Sequence, residues 1–113
     1  MDATADFRDG KLLRIFVDEN DRAGAQPLYV AVVELLRKKG VAGATVFRGI
    51  EGFGSHHQIH VATVFSWSAN LPVLIEVVDD WNALEPILPE LQALIGDGLV
   101  TVEAARYLRL SAH

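Results

Sequence analysis

Three of the four histidines fall within one short segment, at His56, His57 and His60. Neutral imidazole is a common metal ligand, so this group could hold a divalent cation. His56 and His60 share one side of an extended segment, whereas His57 lies with His60 if the chain turns. Neither spacing is a strong zinc pattern, and solvated loop histidines are the simpler interpretation. A third interpretation is pH sensing, because protonation below a pH of about 6.5 would strengthen anion binding.

A glycine-rich segment, Arg48–Gly54, leads into these histidines and reads Arg-Gly-Ile-Glu-Gly-Phe-Gly. Its three glycines permit backbone angles that a Cβ atom would forbid. The segment follows a strand-like run at residues 43–47 and opens into a long polar stretch. Binding residues concentrate on loops that a rigid scaffold carries, so the pattern predicts a binding loop on a sheet. A bulge or tight turn with a purely architectural role is the alternative.

Glu76 interrupts an otherwise apolar, strand-like run at residues 73–78. A carboxylate is rarely buried without a partner, because the loss of hydration is costly. Two arrangements satisfy this requirement. Either Glu76 faces a cleft, or it pairs with an arginine such as Arg14 or Arg48.

The charge balance is acidic, with 15 Asp and Glu against 10 Lys and Arg and a net charge of −5. This balance argues against a nucleic-acid partner or an anionic membrane surface. No Lys or Arg occurs between Arg48 and Arg106. A phosphate ligand in that stretch would need histidines, backbone amides or a neighbouring subunit. Asp18, Glu19 and Asp21 could hold Mg²⁺ or Ca²⁺, but their spacing is not the calcium-loop pattern and favours a solvated turn.

The chain has no cysteine, which excludes disulfides and thiol chemistry. No Ser-His-Asp arrangement or general-base pair is evident, so we expect a protein that is not an enzyme. Residues 1–6 are acidic rather than apolar, and no apolar run approaches the roughly 18 residues of a membrane span. These features together predict a cytoplasmic protein.

The apolar spacing over the 113 residues predicts one domain at residues 11–110, preceded by a flexible tail at residues 1–10. The elements follow the order β-α-β-β-α-β, which is an α+β, ferredoxin-like sandwich. This fold has an antiparallel sheet with two helices on one face, here with a long loop between strands 2 and 3. The predicted strands are residues 11–17, 44–50, 73–78 and an interrupted one over 99–110; the predicted helices are 27–39 and 80–95, the second starting late or kinked at Pro86 and Pro89.

Several short motifs resemble those of the PII signalling superfamily. The longer string at 48–54, with Pro27-Leu28 and Asp97–Val100, is similar to the PII-like family catalogued as domain of unknown function 190. The resemblance covers roughly residues 11 to 110. The shorter motifs are Gly52-Phe53-Gly54, Leu71-Pro72, Ile75-Glu76, Gly96-Asp97-Gly98 and Arg109-Leu110.

This resemblance implies a homotrimer that binds a small anionic ligand, an adenine nucleotide such as ATP, ADP or AMP, in the clefts between subunits. It also implies that the loop at residues 51–70 regulates a partner, such as a membrane transporter or channel. By motif, the implied site residues are Gly52, Gly54, Ser55 and His56 at the loop base, Glu76 near base and ribose, Gly96, Asp97 and Gly98 as an anion-binding turn, and Arg109 at the phosphates.

The chain departs from the PII pattern at three places. Leu99 stands where PII proteins carry a lysine, and Ser111 stands where they carry a second arginine. Ser55-His56 replaces a basic and amide pair. The choice among ADP, AMP and another anion therefore stays open. A rival interpretation is a divalent-metal-binding module that uses the loop histidines and resembles the cation-tolerance proteins.

Overall fold

The computed structural model describes residues 6–53, 59–61 and 70–110. Buried and more exposed residues alternate over residues 13–18 and 72–79 of its two central strands, and apolar residues recur at helical spacing in its helices. The elements in chain order are β1 (Arg8–Asp18), β2 (Arg22–Ala23), β3 (Gln26–Pro27), α1 (Leu28–Lys38), β4 (Thr45–Arg48), β5 (Glu51–Gly52), β6 (His60–Val61), β7 (Pro72–Asp79), α2 (Trp81–Leu84), a 3-10 turn (Glu85–Ile87), α3 (Leu88–Ile95) and β8 (Leu99–Tyr107).

Four of the strands form one antiparallel sheet in the order β4-β7-β1-β8. Two short hairpins, β2 with β3 and β5 with β6, lie outside this sheet. The order places the first and third long strands side by side at the centre, as the split βαβ arrangement requires. The predicted α+β, ferredoxin-like fold is confirmed.

The core lies between one face of the sheet and the helices. Leu13, Ile15 and Val17 alternate along β1 and are all buried, as the sequence predicted. No helix of the described residues packs on the opposite face of the sheet, which is called the open face here. The buried core residues are Leu13, Ile15, Val17, Val73, Ile75 and Val77 of the sheet, with Leu28, Val32, Leu36, Leu84, Ile87 and Leu91 of the helical layer.

The bounds of β1 and β8, which are neighbours in the sheet, differ from the predicted bounds. β1 begins at Arg8, so residues 8–10 of the predicted tail pair with the end of β8. β8 runs without interruption from Leu99 to Tyr107 and ends before residue 110. Polar and small side chains at residues 103–106 gave no apolar signal, but the backbone ladder with β1 does not require one.

The helical segment after β7 contains the break that its prolines predicted. α2 ends at Leu84, a 3-10 turn follows, and α3 begins at Leu88. Pro86 and Pro89 each occupy one of the first two positions of the turn or helix that follows, where a missing N–H costs no hydrogen bond. The second predicted strand ends at Arg48 rather than at residue 50. No helix in the described part of the chain is long and apolar enough to cross a membrane.

Candidate ligand site at the loop end of the sheet

Four strand ends meet at one end of the sheet, which we call the loop end. Arg48 lies opposite Val73, Asp18 lies opposite Pro72, and Phe16 lies opposite Leu99. Both stems of the 51–70 loop and the Gly96–Gly98 turn therefore lie at the same end. The four strands span about 14 Å across, at roughly 4.8 Å per step.

Two glycines at the loop base allow a close approach to Pro72. A Cβ atom at Gly49 would lie 2.7 Å from the Pro72 Cγ atom, and one at Gly52 would lie 2.9 Å from it. The Gly49 amide also donates to the Pro72 carbonyl at 2.7 Å. Neither glycine is among the described ones with positive φ. Gly49 and Gly52 therefore do not use the backbone angles that glycine permits, and their described role is close contact with Pro72. Gly54 lies outside the described residues.

The Gly96–Gly98 turn connects α3 to β8 at the loop end. Gly96 ends α3 with a φ of 69°, and its amide donates to the Gln92 carbonyl at 3.0 Å. The Asp97 amide donates to the Ile95 carbonyl at 2.8 Å. A Cβ atom at Gly98 would lie 2.8 Å from the Ile95 Cγ2 atom. Two amides of the predicted anion-binding turn are thus already used within the chain, and an anion there would need further donors.

Glu76 lies on the open face and pairs with Arg14, which is one of the arrangements that the sequence left open. The two residues are opposite each other on β7 and β1, and the Arg14 Nε atom donates to the Glu76 Oε2 atom at 2.9 Å. Arg14 also pairs with Glu103 of β8. The hydrogen bond to Glu76 raises the pKa of Arg14 above its ordinary value. Glu76 is therefore part of a charged group that links three strands.

Arg109 lies beyond Tyr107 at the opposite end of the sheet, which we call the far end. Its guanidinium pairs with the Asp79 Oδ1 atom at 3.1 Å and lies 5.4 Å from the centre of the Tyr107 ring. β8, which separates Arg109 from Gly98, has nine residues. At about 3.3 Å per residue, the strand spans roughly 30 Å. Arg109 and Gly98 of one chain therefore cannot contact the same small ligand.

A polar network at the far end was not predicted. Asp79 is only 7% exposed and accepts hydrogen bonds from the backbone amides of Ala42, at 3.1 Å, and Asp80, at 2.8 Å. Asp80 accepts a hydrogen bond from the Tyr107 hydroxyl at 2.7 Å and pairs with Arg8 at 2.9 Å. The hydrogen bond to Asp80 raises the pKa of Tyr107. Two adjacent aspartates at a strand end were the available signal in the sequence.

The turn between β1 and β2 contacts both stems of the loop, which the sequence also did not reveal. Glu19 pairs through its Oε2 atom with the Arg48 Nε atom at 2.7 Å, on the first stem. The Asn20 amide donates to the Asn70 Oδ1 atom at 2.8 Å, and the Glu19 amide donates to the Leu71 carbonyl at 2.8 Å. The hydrogen bond to Glu19 raises the pKa of Arg48. This acidic turn therefore connects the two stems of the loop and is not the solvated turn that the sequence favoured.

The open face carries an apolar row near the loop end. Phe47, Leu74, Phe16 and Leu99 are successive cross-strand neighbours on the four strands. Phe16, Phe47 and Leu99 are exposed in the single chain. A contiguous exposed apolar patch of this kind is typical of a protein interface.

A groove with a volume of about 480 Å³ lies at the far end, on the helix side of the sheet. None of the predicted site residues lines it. Its lining residues are Asp9, Gly10, Lys11, Trp81, Ala104, Ala105 and Arg106.

Metal ligation by the loop histidines falls outside what the structure describes. His56 and His57, with Ser55, belong to residues 54–58, which the structure does not describe. For His60 only its backbone pairing with Gly52 in the β5–β6 hairpin is described. Within residues 6–53, 59–61 and 70–110, no three His, Cys, Asp or Glu side chains form a metal-binding group.

Comparison with known proteins gives consistent relatives in sequence and in structure. The DUF190 family model, described as "Uncharacterized ACR", matches residues 10–107. A UPF0166 protein of Aquifex aeolicus strain VF5 is 34% identical over 100 residues, which are 88% of this chain and 94% of that protein.

Two solved structures share the fold. One is CPII of Thiomonas intermedia K12, a nitrogen regulatory PII-like protein bound to ADP, AMP and bicarbonate, with a TM-score of 0.69, 21% identity and coverage of 91% of this chain and 92% of that one. The other is a PII-like signaling protein of Thermus thermophilus, with a TM-score of 0.65, 20% identity and coverage of 91% and 93%. The chain therefore belongs to the DUF190 family, and its fold is that of the PII-like proteins.

Proposed function

We propose that this protein is a homotrimeric, PII-like regulator that binds an adenine nucleotide in the clefts between its subunits. In this proposal the 51–70 loop responds to the nucleotide and regulates a partner, such as a membrane transporter or channel. The protein acts in the cytoplasm. ADP and AMP are the first candidates, because CPII, which shares the fold, was solved with both.

The separation of Arg109 from Gly98 is the observation that carries the intersubunit site. Both residues match motifs for the same ligand, yet the two ends of β8 are roughly 30 Å apart, at about 3.3 Å for each of its nine residues. One ligand can contact both positions only if the Arg109 of one chain approaches the loop end of a second chain. Such head-to-tail contacts close into a ring when the rotation between subunits permits it.

The open face supports association of several chains. Its apolar row would lose its water contact if the sheets of neighbouring subunits packed together. Arg14 with Glu76 and Glu103 forms a compact charged group on the same face. An interface that contains this face would have an apolar part and a charged part in which both carboxylates already contact Arg14, with a net charge of −1.

Arg109 retains donors for a phosphate although it pairs with Asp79. A guanidinium carries five N–H groups, and the Asp79 contact involves the Nη2 atom. Phosphate oxygens accept two parallel N–H bonds from arginine more effectively than from lysine. Leu99 stands at the turn in place of a lysine, which removes one cation from the loop end. A nucleotide with fewer phosphates than ATP suits that reduced charge.

Calorimetric titration with ATP, ADP, AMP and cyclic AMP, each with and without Mg²⁺, tests the ligand. We expect saturable binding of about one ADP or AMP per chain, as clefts shared between three subunits require. Light scattering tests the assembly, for which we expect the mass of three chains. Failure to bind any of the four nucleotides would contradict the nucleotide proposal, and the mass of one chain would contradict the intersubunit site.

A further inference from the structure

Arg48 is the one positively charged residue in the described stems of the 51–70 loop. It ends β4, next to the Gly49 amide that is bonded to Pro72, and it is the last Lys or Arg before Arg106. Arg22 of the β2–β3 hairpin is used locally, because its guanidinium donates to the Ala25 carbonyl. An anion that approaches the loop end from the β4 side therefore meets Arg48.

The guanidinium of Arg48 is held by a carboxylate from another element. Its Nε atom lies 2.7 Å from the Glu19 Oε2 atom, and the Arg48 and Glu19 side chains are 59% and 27% exposed. An exposed ion pair contributes little, because water screens the attraction and two long side chains must be ordered. A ligand with a higher charge density can therefore displace Glu19.

The turn that carries Glu19 is rigid in its own right. The Asp18 amide donates to the Asp21 Oδ2 atom at 2.9 Å, and the Asp21 amide donates to the Asp18 carbonyl at 3.1 Å. The Asp21 carbonyl accepts a hydrogen bond from the Leu28 amide at 2.7 Å, at the start of α1. Because the turn is fixed to α1, loss of the Arg48 contact does not free the turn. The contact between Arg48 and Glu19 can therefore change while the turn keeps its position.

We propose that Arg48 is an anion-binding residue of the nucleotide site and that Glu19 competes with the ligand phosphate for its guanidinium. This inference rests on the proposed function, since it names a contact and a control of the same site. A phosphate offers up to two negative charges and several acceptor oxygens, against the single charge of a carboxylate. The fork of the guanidinium matches a phosphate with two parallel bonds.

The competition connects ligand binding to the stems of the loop. Without ligand, the turn holds the first stem through Glu19 and Arg48, and the second stem through Asn70 and Leu71. With ligand, Arg48 exchanges Glu19 for phosphate, and the turn keeps its hydrogen bonds to the second stem. Linkage requires the reverse effect as well, so weakening the Glu19 contact must strengthen ligand binding.

Calorimetric titration of the full chain with ADP tests the competition in Glu19→Gln and Arg48→Gln. Glu19→Gln should bind ADP roughly two- to fivefold more tightly, the range that exposed ion pairs span. Arg48→Gln should bind it about tenfold more weakly, as expected for loss of a charge-assisted contact. The matched controls are Glu34→Gln and Arg37→Gln, from an exposed pair on α1 at 3.1 Å, and both should bind as the wild type does.

Hydrogen exchange of the Gly49 amide gives a second measurement that needs no ligand. Glu19→Gln should raise its exchange rate roughly two- to fivefold, because the stem that Arg48 anchors opens more often. Unchanged ADP affinity in both variants, with normal binding by the wild type, would overturn this inference and leave the proposed function standing. Weaker binding by Glu19→Gln would also overturn it. Absence of ADP binding by the wild type would overturn both this inference and the proposed function. That outcome is distinguishable from the first one, in which the wild type binds ADP normally.

Discussion

Arg109 and Gly98 lie at opposite ends of β8, although motif resemblance assigns them to the same ligand. Arg109 is fixed at the far end by Asp79 and by the Tyr107 ring, and Gly98 is packed against Ile95 and the Phe16 carbonyl at the loop end. A shared ligand would therefore have to contact two chains. Mixtures of two variants that are each defective in ligand binding can therefore test whether the site lies between chains.

Mixed trimers of two defective variants should recover binding. In the proposed site, Arg109→Gln removes the phosphate contact and Ser55→Asp adds a carboxylate at the predicted loop base. Each variant alone should therefore lose ADP binding by about tenfold or more. In co-expressed mixtures, about one cleft in four would combine an intact loop end with an intact Arg109 from its neighbour. Calorimetry would then show a minority of sites with wild-type affinity.

A matched co-expression distinguishes the two arrangements of the site. Arg37→Gln mixed with Ser55→Asp controls for co-expression, because Arg37 lies on α1, where it pairs with Glu34 one turn away. A site contained in one chain would recover no wild-type affinity when Arg109→Gln is mixed with Ser55→Asp. That result would contradict the intersubunit cleft even if both variants form trimers.

Phe47 on the open face should be required for assembly. Phe47→Ser removes an exposed aromatic side chain from the apolar row, whereas Ile50→Ser removes an equally apolar side chain outside the row. Aromatic residues at the centre of an interface cost about 2 kcal/mol or more when truncated. We expect Phe47→Ser to lower the mass in light scattering at low protein concentration, with an unchanged circular dichroism spectrum. Equal masses for the two variants would contradict the role of the open face.

The order of elements and the buried face of β1 could be predicted, because burial leaves a periodic apolar pattern, as in Leu13, Ile15 and Val17. The extension of β1 to Arg8 and the continuity of β8 could not. Those parts are held by backbone hydrogen bonds and by pairs such as Arg8 with Asp80, which leave no periodicity. Strand pairing over long sequence distances determines such contacts.

In the site, too, the sequence predicts which types of residue take part but not which residues lie beside each other. The sequence reduced the partner of Glu76 to Arg14 or Arg48, but only the β1–β7 register selects Arg14. The sequence predicted a solvated position for Glu19, because nothing local indicates that Arg48 lies beside it. Glycines at the loop base were visible in the sequence, yet sequence cannot distinguish positive φ from close contact with Pro72.

Gly49→Ala should destabilise the fold through contact rather than through backbone strain. The new Cβ atom would lie 2.7 Å from the Pro72 Cγ atom and 3.3 Å from the Pro72 carbonyl oxygen. Overpacking of this kind costs about 1–3 kcal/mol. Gly43→Ala is the matched control, because its Cβ atom would meet nothing within 4 Å. Urea denaturation should show the loss for Gly49→Ala alone, and equal stabilities would contradict the contact role.

Tyr107 should ionise at a higher pH than an ordinary tyrosine. Its hydroxyl donates to the Asp80 Oδ1 atom at 2.7 Å, and this hydrogen bond, with a smaller contribution from desolvation, raises its pKa above the ordinary value of about 10. A pKa that folding raises gives stability below the unfolded value and loses it as pH rises through the folded value. Alkaline pH should therefore destabilise the far end.

Tyrosinate absorbance in the Tyr29→Phe background measures this pKa directly, because Tyr107 is then the only tyrosine. Asp80→Asn in the same background removes the carboxylate acceptor, so the titration should shift to lower pH. Glu34→Gln, which removes a carboxylate from α1, should leave the titration unchanged. A titration of Tyr107 that Asp80→Asn does not move would show that the hydrogen bond between them does not control the phenol.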